Sequence, residues 1–116
     1  MKTDRKLLEL AAKAAGVEGG WGERVMIGDD EVDLTDIWFL DNPDTCAIWD
    51  PLTDDGDALR LAAKLMLNVL ACAACIVAED ENGVECIEYM YGPEDHTSGW
   101  RRAIVRAAAA IGEAMQ

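Results

Sequence analysis

The side chains of this sequence best suited to chemistry are four cysteines, a single histidine and a cluster of aspartates. Cys72 and Cys75 have the C-x-x-C spacing of a redox pair or of half a zinc site. Either use requires thiolates near positive charge or at a helix N-terminus, and these two lie in the apolar run Val69 to Val77. Zinc would need two more ligands, and Cys46, Cys86 and His96 offer neither a second C-x-x-C nor an H-x-H pair. Core thiols are the better account, because cysteine outside disulfides is among the most buried residue types. His96 is the only imidazole for acid–base work. Glu94, Asp95 and Ser98 share a loop with it, whereas a catalytic triad is assembled from separate elements, so a solvated histidine is expected. Asp50, Asp54, Asp55 and Asp57 lack the central Gly and terminal Glu of a calcium loop, and helix capping explains most of them. Gly19-Gly20-Trp21-Gly22 lacks the Lys-Ser/Thr ending of a P-loop and the strand-to-helix setting of G-x-G-x-x-G. No catalytic residue, metal or cofactor is expected, and the chain does not read as an enzyme.

The elements that position these residues follow from periodicity and turn chemistry. Thr3 as N-cap, Asp4 at the positive end of the dipole, and Leu7, Leu8, Ala11, Ala12 and Ala15 before Gly16 predict a helix over 4–15. Gly19, Gly20 and Gly22 read as a flexible connection around Trp21. Strands are expected from Glu23 to Ile27, closed by a Gly28-Asp29-Asp30 turn, and from Asp36 to Leu40. An Asp41-Asn42-Pro43-Asp44 turn leads to a third, Cys46 to Trp49, which Pro51 bars from continuing as a central strand. Thr53 as N-cap, with Asp54, Asp55 and Asp57 in the first turn, predicts a second helix over 54–66. Only Arg60 and Lys64 interrupt its apolar surface, so it is expected to be largely buried. Asn68 to Ala78 reads as a buried strand, with a helix continuing to Ala78 as the rival. Asn82-Gly83, the strongest short hairpin signal, favours the strand, and Val84 to Tyr91 supplies the return. Thr97 or Ser98 caps a last helix over 99–114, which carries Trp100, Ala103, Ile104, Ala107, Ile111 and Ala114 on one face and Arg101, Arg102 and Arg106 off it. The order helix, two or three strands, helix, two strands, helix, with hairpins for most connections, defines an α+β fold with an antiparallel sheet.

A chain of 116 residues is one domain, long enough to bury a core without metal or disulfide. Its 23 Asp plus Glu against 10 Lys plus Arg give a net charge of −13, which opposes direct binding to nucleic acid or an anionic membrane and favours a basic partner. The charge is uneven: Val25 to Leu59 holds 11 acidic residues and no Lys or Arg, and Leu65 to Gly99 holds seven and again no base. Such a surface suits fast, salt-sensitive docking on a basic protein, although acidity also serves plain solubility. The uncharged run Leu65 to Ala78 is 14 residues long, short of the roughly 20 that span a bilayer as a helix. Met1 to Lys6 has no apolar core of a secretory signal, so the thiols are expected in the cytoplasm. Of the four tryptophans, Trp49 and Trp100 read as internal, whereas Trp21, in its glycine-flanked loop, and Trp38, beside Phe39, are candidates for partner contact.

The stretch Trp49 to Ala62, WDPLTDDGDALRLA, together with the opening KTDRKLLELAAKAAG and the close WRRAIVRAAAAIGEAM, resembles a group of small proteins of tailed bacteriophages and prophages. They share the motif W-[DN]-P-L-x-[DN]-D-G-D-A-x-R-L, and the resemblance covers roughly half the chain. The group has no assigned activity and no catalytic residues to carry over, and its members usually have Gly where this chain has Met66. The resemblance implies an accessory protein made in the cytoplasm of an infected bacterium. Small acidic phage proteins often bind and block a host protein, defence machinery such as CRISPR effector complexes included. Setting and charge together lead to the expectation of a non-enzymatic inhibitor that occupies a basic surface of a host bacterial protein, most concretely an anti-CRISPR or other anti-defence protein. Its expected contact residues are Asp29, Asp30, Glu31, Asp33, Asp36, Asp41 and Asp44, with Trp38 as aromatic anchor. The alternative is a module that sequesters a nucleotide signal, with Arg101, Arg102 and Arg106 facing its phosphates and the net charge working against it. Monomer and homodimer both fit, since no heptad or long exposed stripe argues for a dimer.

Overall fold

A computed structural model describes residues 3–41, 47–71, 75–83, 85–89 and 96–115. In chain order its elements are α1 (Asp4–Ala15), β1 (Gly19–Trp21), β2 (Arg24–Ile27), β3 (Asp30–Asp33), β4 (Trp38–Leu40), β5 (Ile48–Trp49), α2 (Asp55–Lys64), β6 (Asn68–Ala71), β7 (Cys75–Glu79), β8 (Glu85–Tyr89) and α3 (His96–Ala114). The fold is α+β, and all its strand pairs are antiparallel. The strands form three small sheets, ordered β1-β4-β5, β2-β3 and β6-β7-β8.

Helix α1 runs between the residues that its local chemistry selects. The Thr3 side chain accepts from the Lys6 N–H, and Gly16, at φ 67°, turns the chain out of the helix. The Val17 N–H then reaches back to the Ala12 carbonyl at 2.9 Å, closing a Schellman motif. Helix α2 ends in the same motif, with Leu67 N–H on the Ala62 carbonyl at 2.9 Å and Met66 N–H on Ala63 at 3.2 Å. Here the left-handed position is Met66, at φ 54°, the one non-glycine with positive φ among the described residues.

Several expectations are corrected. Gly19 to Trp21 is not a loop: its backbone pairs with Trp38 to Leu40 as β1. The Gly28 turn leads into a return strand, β3, whose acidic residues hide it from propensity. Asp54, not Thr53, caps α2, accepting from the Asp57 N–H, because the Thr53 hydroxyl is turned to Asp50. The run from Asn68 to Ala78 is neither one strand nor a helix but the pair β6 and β7, in register Asn68 to Glu79 and Leu70 to Val77. The Asn82-Gly83 turn joins β7 to β8 as its sequence indicates, with Gly83 at φ 83°. Helix α3 begins at His96, so the histidine is no loop residue and Thr97 and Ser98 lie in the first turn rather than capping it.

Two apolar clusters hold the fold. The larger joins Leu7, Leu8, Leu10 and Ala11 of α1 to Trp49, Leu61 of α2, and Ile104, Val105 and Ala108 of α3. The smaller joins Ala103 and Ala107 of α3 to Ile76 and Ala78 of β7. Helices α1 and α3 run parallel, as shown by Arg102 meeting Asp4, Gly112 meeting Leu10 and the Lys13 ammonium donating to the Met115 carbonyl. They approach so closely that a Cβ at Gly112 would fall on the Leu10 carbonyl. Contrary to expectation, α2 buries only Ala58, Leu61 and Ala62, and Leu59 is 69% exposed. The reason is that α3 covers only one of its faces, and nothing among the described residues packs over Leu59.

Candidate functional site: an acidic ribbon

Four of the expected contact residues, Asp29, Asp30, Glu31 and Asp33, fall on one feature, the ribbon β2–β3. It leaves the β1–β4 pair through Gly22, whose N–H donates to the Ile37 carbonyl, and is closed at its base by Leu34 N–H on the Glu23 carbonyl at 3.2 Å. Ile27 pairs with Asp30, leaving Gly28 and Asp29 as a two-residue turn. Gly28 has positive φ, at 66°, and Asp29 does not, which is the type II′ geometry whose twist suits a hairpin.

The ribbon segregates chemistry by strand. Strand β2 carries Val25, Met26 and Ile27, with Met26 65% and Ile27 64% exposed, and β3 carries Asp30, Glu31 and Asp33. Every residue from Arg24 to Asp33 except Val32 is exposed. A two-stranded hairpin with apolar side chains bare on both faces is marginal by itself in water and gains most from a surface laid against it. Arg24 is the ribbon's only base, 3.7 Å from Asp33 and 3.9 Å from Glu31. Asp33 accepts from the Thr35 hydroxyl at 2.5 Å and the Thr35 N–H at 3.0 Å, and these bonds, helped by Arg24, hold its carboxyl below the ordinary value of 3.8. The depressed value means that this contribution to stability is complete above pH 3.8 and is lost as pH falls through the lowered pKa.

The other expected contacts lie off the ribbon. Asp36 is exposed and 3.5 Å from Arg5, Asp41 is exposed just past β4, and Asp44 lies outside the described residues. Trp38 is the middle ring of a stack, 5.2 Å from Trp21 and 6.1 Å from Trp49, edge to face with both. It is half-buried, and its indole N–H is buried with no acceptor among the described residues. Trp21 donates to Glu9 at 2.8 Å under the guanidinium of Arg5. Trp38 and Trp21 therefore brace β1 and β4 at the root of the ribbon rather than standing out from it.

The three arginines of α3 are engaged with the fold. Arg101 donates to the Leu52 carbonyl at 2.7 Å and to Asp55 at 2.5 Å, Arg102 meets Asp4 at 3.1 Å and Glu88 at 3.5 Å, and Arg106 bonds Glu88 and the Ile87 carbonyl. They serve as cross-ties from α3 to α2, α1 and β8. Cys75 and Cys86 are half-buried rather than buried, and Cys46 and Cys72 lie outside the described residues. Among the described residues no cluster of His, Cys, Asp or Glu is placed to hold a metal ion, and no helix is long and apolar enough to cross a membrane.

Sequence reasoning also missed an apolar groove of 430 Å³ between α2 and α3, lined by Leu59, Ala63, Met66, Val69, Trp100 and Ile104. Trp100, expected inside, is 37% exposed at its wall, because nothing among the described residues fills the space. The apolar surface of α2, interrupted only by Arg60 and Lys64, was its signal, and apolarity by itself does not tell a buried face from an open groove. Compared with known proteins, the chain matches no family model, no curated protein and no solved structure.

Proposed function

We propose that the protein is a non-enzymatic binding protein whose β2–β3 ribbon docks on a basic surface of a host bacterial protein. The observation that carries this reading is the ribbon itself, exposed on both faces, with Met26 and Ile27 on one strand and Asp30, Glu31 and Asp33 on the other. Such a pairing supplies apolar contact area and electrostatic steering in one element, the combination that gives fast association and a dry centre to an interface. The resemblance to tailed-phage accessory proteins supplies the setting: the cytoplasm of an infected bacterium, with a nucleic-acid-handling defence protein, such as a CRISPR effector complex, as the most concrete target. Because α3 spends its arginines on Asp55, Asp4 and Glu88, the nucleotide-sequestering alternative has less to recommend it.

The test is a tagged pull-down from lysate of a phage-permissive bacterium at low and then high salt, repeated with Asp29→Lys, Asp30→Lys and Glu31→Lys together. The expected result is a basic partner that elutes with salt and is lost with the triple variant, while the melting temperature of the variant stays near the parent's. Equal retention of that partner by parent and variant would overturn the role of the ribbon.

A further inference from the structure

The β6-β7-β8 sheet has two faces, and among the described residues only one is covered by a helix. The covered face presents Val69, Ile76, Ala78, Cys86 and Glu88 to α3, which answers with Ala103 and Ala107 against Ile76 and Ala78 and with Arg102 and Arg106 on Glu88. The opposite face follows from the alternation of side chains along each strand. Leu70, Val77 and Ile87 are direct cross-strand partners there and make one apolar row, with Leu70 54% and Ile87 37% exposed. Asn68, Glu79 and Glu85 are partners in the next row. Glu79 and Glu85 stand opposite one another, a like-charge pairing that costs stability in an antiparallel sheet. The Asn68 amide donates to Glu79 at 3.3 Å, and no Lys or Arg occurs from Leu65 to Gly99.

We infer that this outer face seats a helix of a partner protein, one that carries an apolar row beside a row of Arg or Lys. The sheet's own covered face provides the pattern: an apolar row plus glutamate there holds a helix bearing small apolar residues and arginines. A three-strand row is about 10 Å wide, the diameter of one helix with its side chains. Charge selects the occupant further. A second copy of this chain would bring a net charge of −13 and the same glutamates to the contact, and an anionic lipid surface would repel them. A basic amphipathic helix instead covers Leu70 and Ile87 and neutralises Glu79 and Glu85 together.

The probe is a synthetic amphipathic helix of leucine, alanine and arginine, titrated into the full-length protein while backbone amide shifts are followed by NMR, with a glutamate-for-arginine peptide as control. Shifts centred on Leu70, Val77, Glu79, Glu85 and Ile87 are expected with the arginine peptide alone. Glu85→Lys should weaken binding by about tenfold while leaving the melting temperature equal or higher, because it removes the like-charge pair. A residue with a purely structural role would move both in the same direction. Leu70→Glu, at an exposed position, should weaken binding without unfolding the sheet. Shifts confined to the β2–β3 ribbon, no shifts at all, or the same shifts on raising protein concentration without peptide would each overturn the inference, the last in favour of a second copy. The ribbon's role is read separately, since its charge-reversal variant leaves this face intact.

Discussion

On its α1 flank, α3 presents Gly112, and the helices close until the Leu10 carbonyl occupies the room that a Cβ would need. On its α2 flank it presents Trp100 and Ile104, and a groove of 430 Å³ stays open against Leu59, Ala63 and Met66. Small residues let the backbones meet at that contact. Large side chains without a facing knob hold the helices apart and leave apolar surface at the rim, where Leu59 is 69% and Met66 75% exposed. The same helix thus has one flank committed to folding and one with capacity to spare.

The sharpest way to break this comparison is Gly112→Val, which forces a branched side chain onto the α1 backbone and is expected to cost about 3 kcal/mol or more in denaturant unfolding. A variant as stable as the parent would mean that the flanks do not differ. Next comes a matched pair of enlargements: Ala108→Leu, at a position with no exposure, should cost about 1–3 kcal/mol, whereas Ala63→Leu, on the groove, should stay within about 0.5 kcal/mol. Arg101→Met removes the tie from α3 to Leu52 and Asp55 on the open flank and should cost about 1–2 kcal/mol, readable as a lowered melting temperature. A smaller effect than that of Arg101→Met sits at two helix ends. Met66→Gly should stabilise by about 0.5–1 kcal/mol by relieving a left-handed residue at the groove's edge, and Gly16→Met should cost a similar amount at the end of α1.

What could be read in advance tracks how locally each feature is determined. Both ends of α1 were legible because Thr3 and Gly16 act on backbone groups within a few residues. The Asn82-Gly83 turn was legible for the same reason. Strand β3 was not, since Asp30, Glu31 and Asp33 are poor strand formers that pair only because the Gly28-Asp29 turn folds them back on Ile27, Met26 and Arg24. The break between β6 and β7 was hidden by an apolar run with one character throughout. Charge along the sequence marks the acidic residues of the ribbon but does not separate them from Asp36 and Asp41, which stand elsewhere, and residue type alone does not show that Trp38 is held in a stack.

The sequence by itself determined both ends of α1, the two hairpin turns and the separation of acid from base, because capping, positive φ and charge act over a few residues or need no geometry at all. Only the tertiary structure decided which apolar residues are covered. Docking of α3 hides Ile76 and Ala78 and leaves Leu70 and Ile87 outside, sets Arg101 on Asp55 and Arg106 on Glu88, and leaves the α2 groove open. The physical reason is that the hydrophobic effect is non-directional: it rewards covering either face of a sheet or helix, and the one helix available could cover only one.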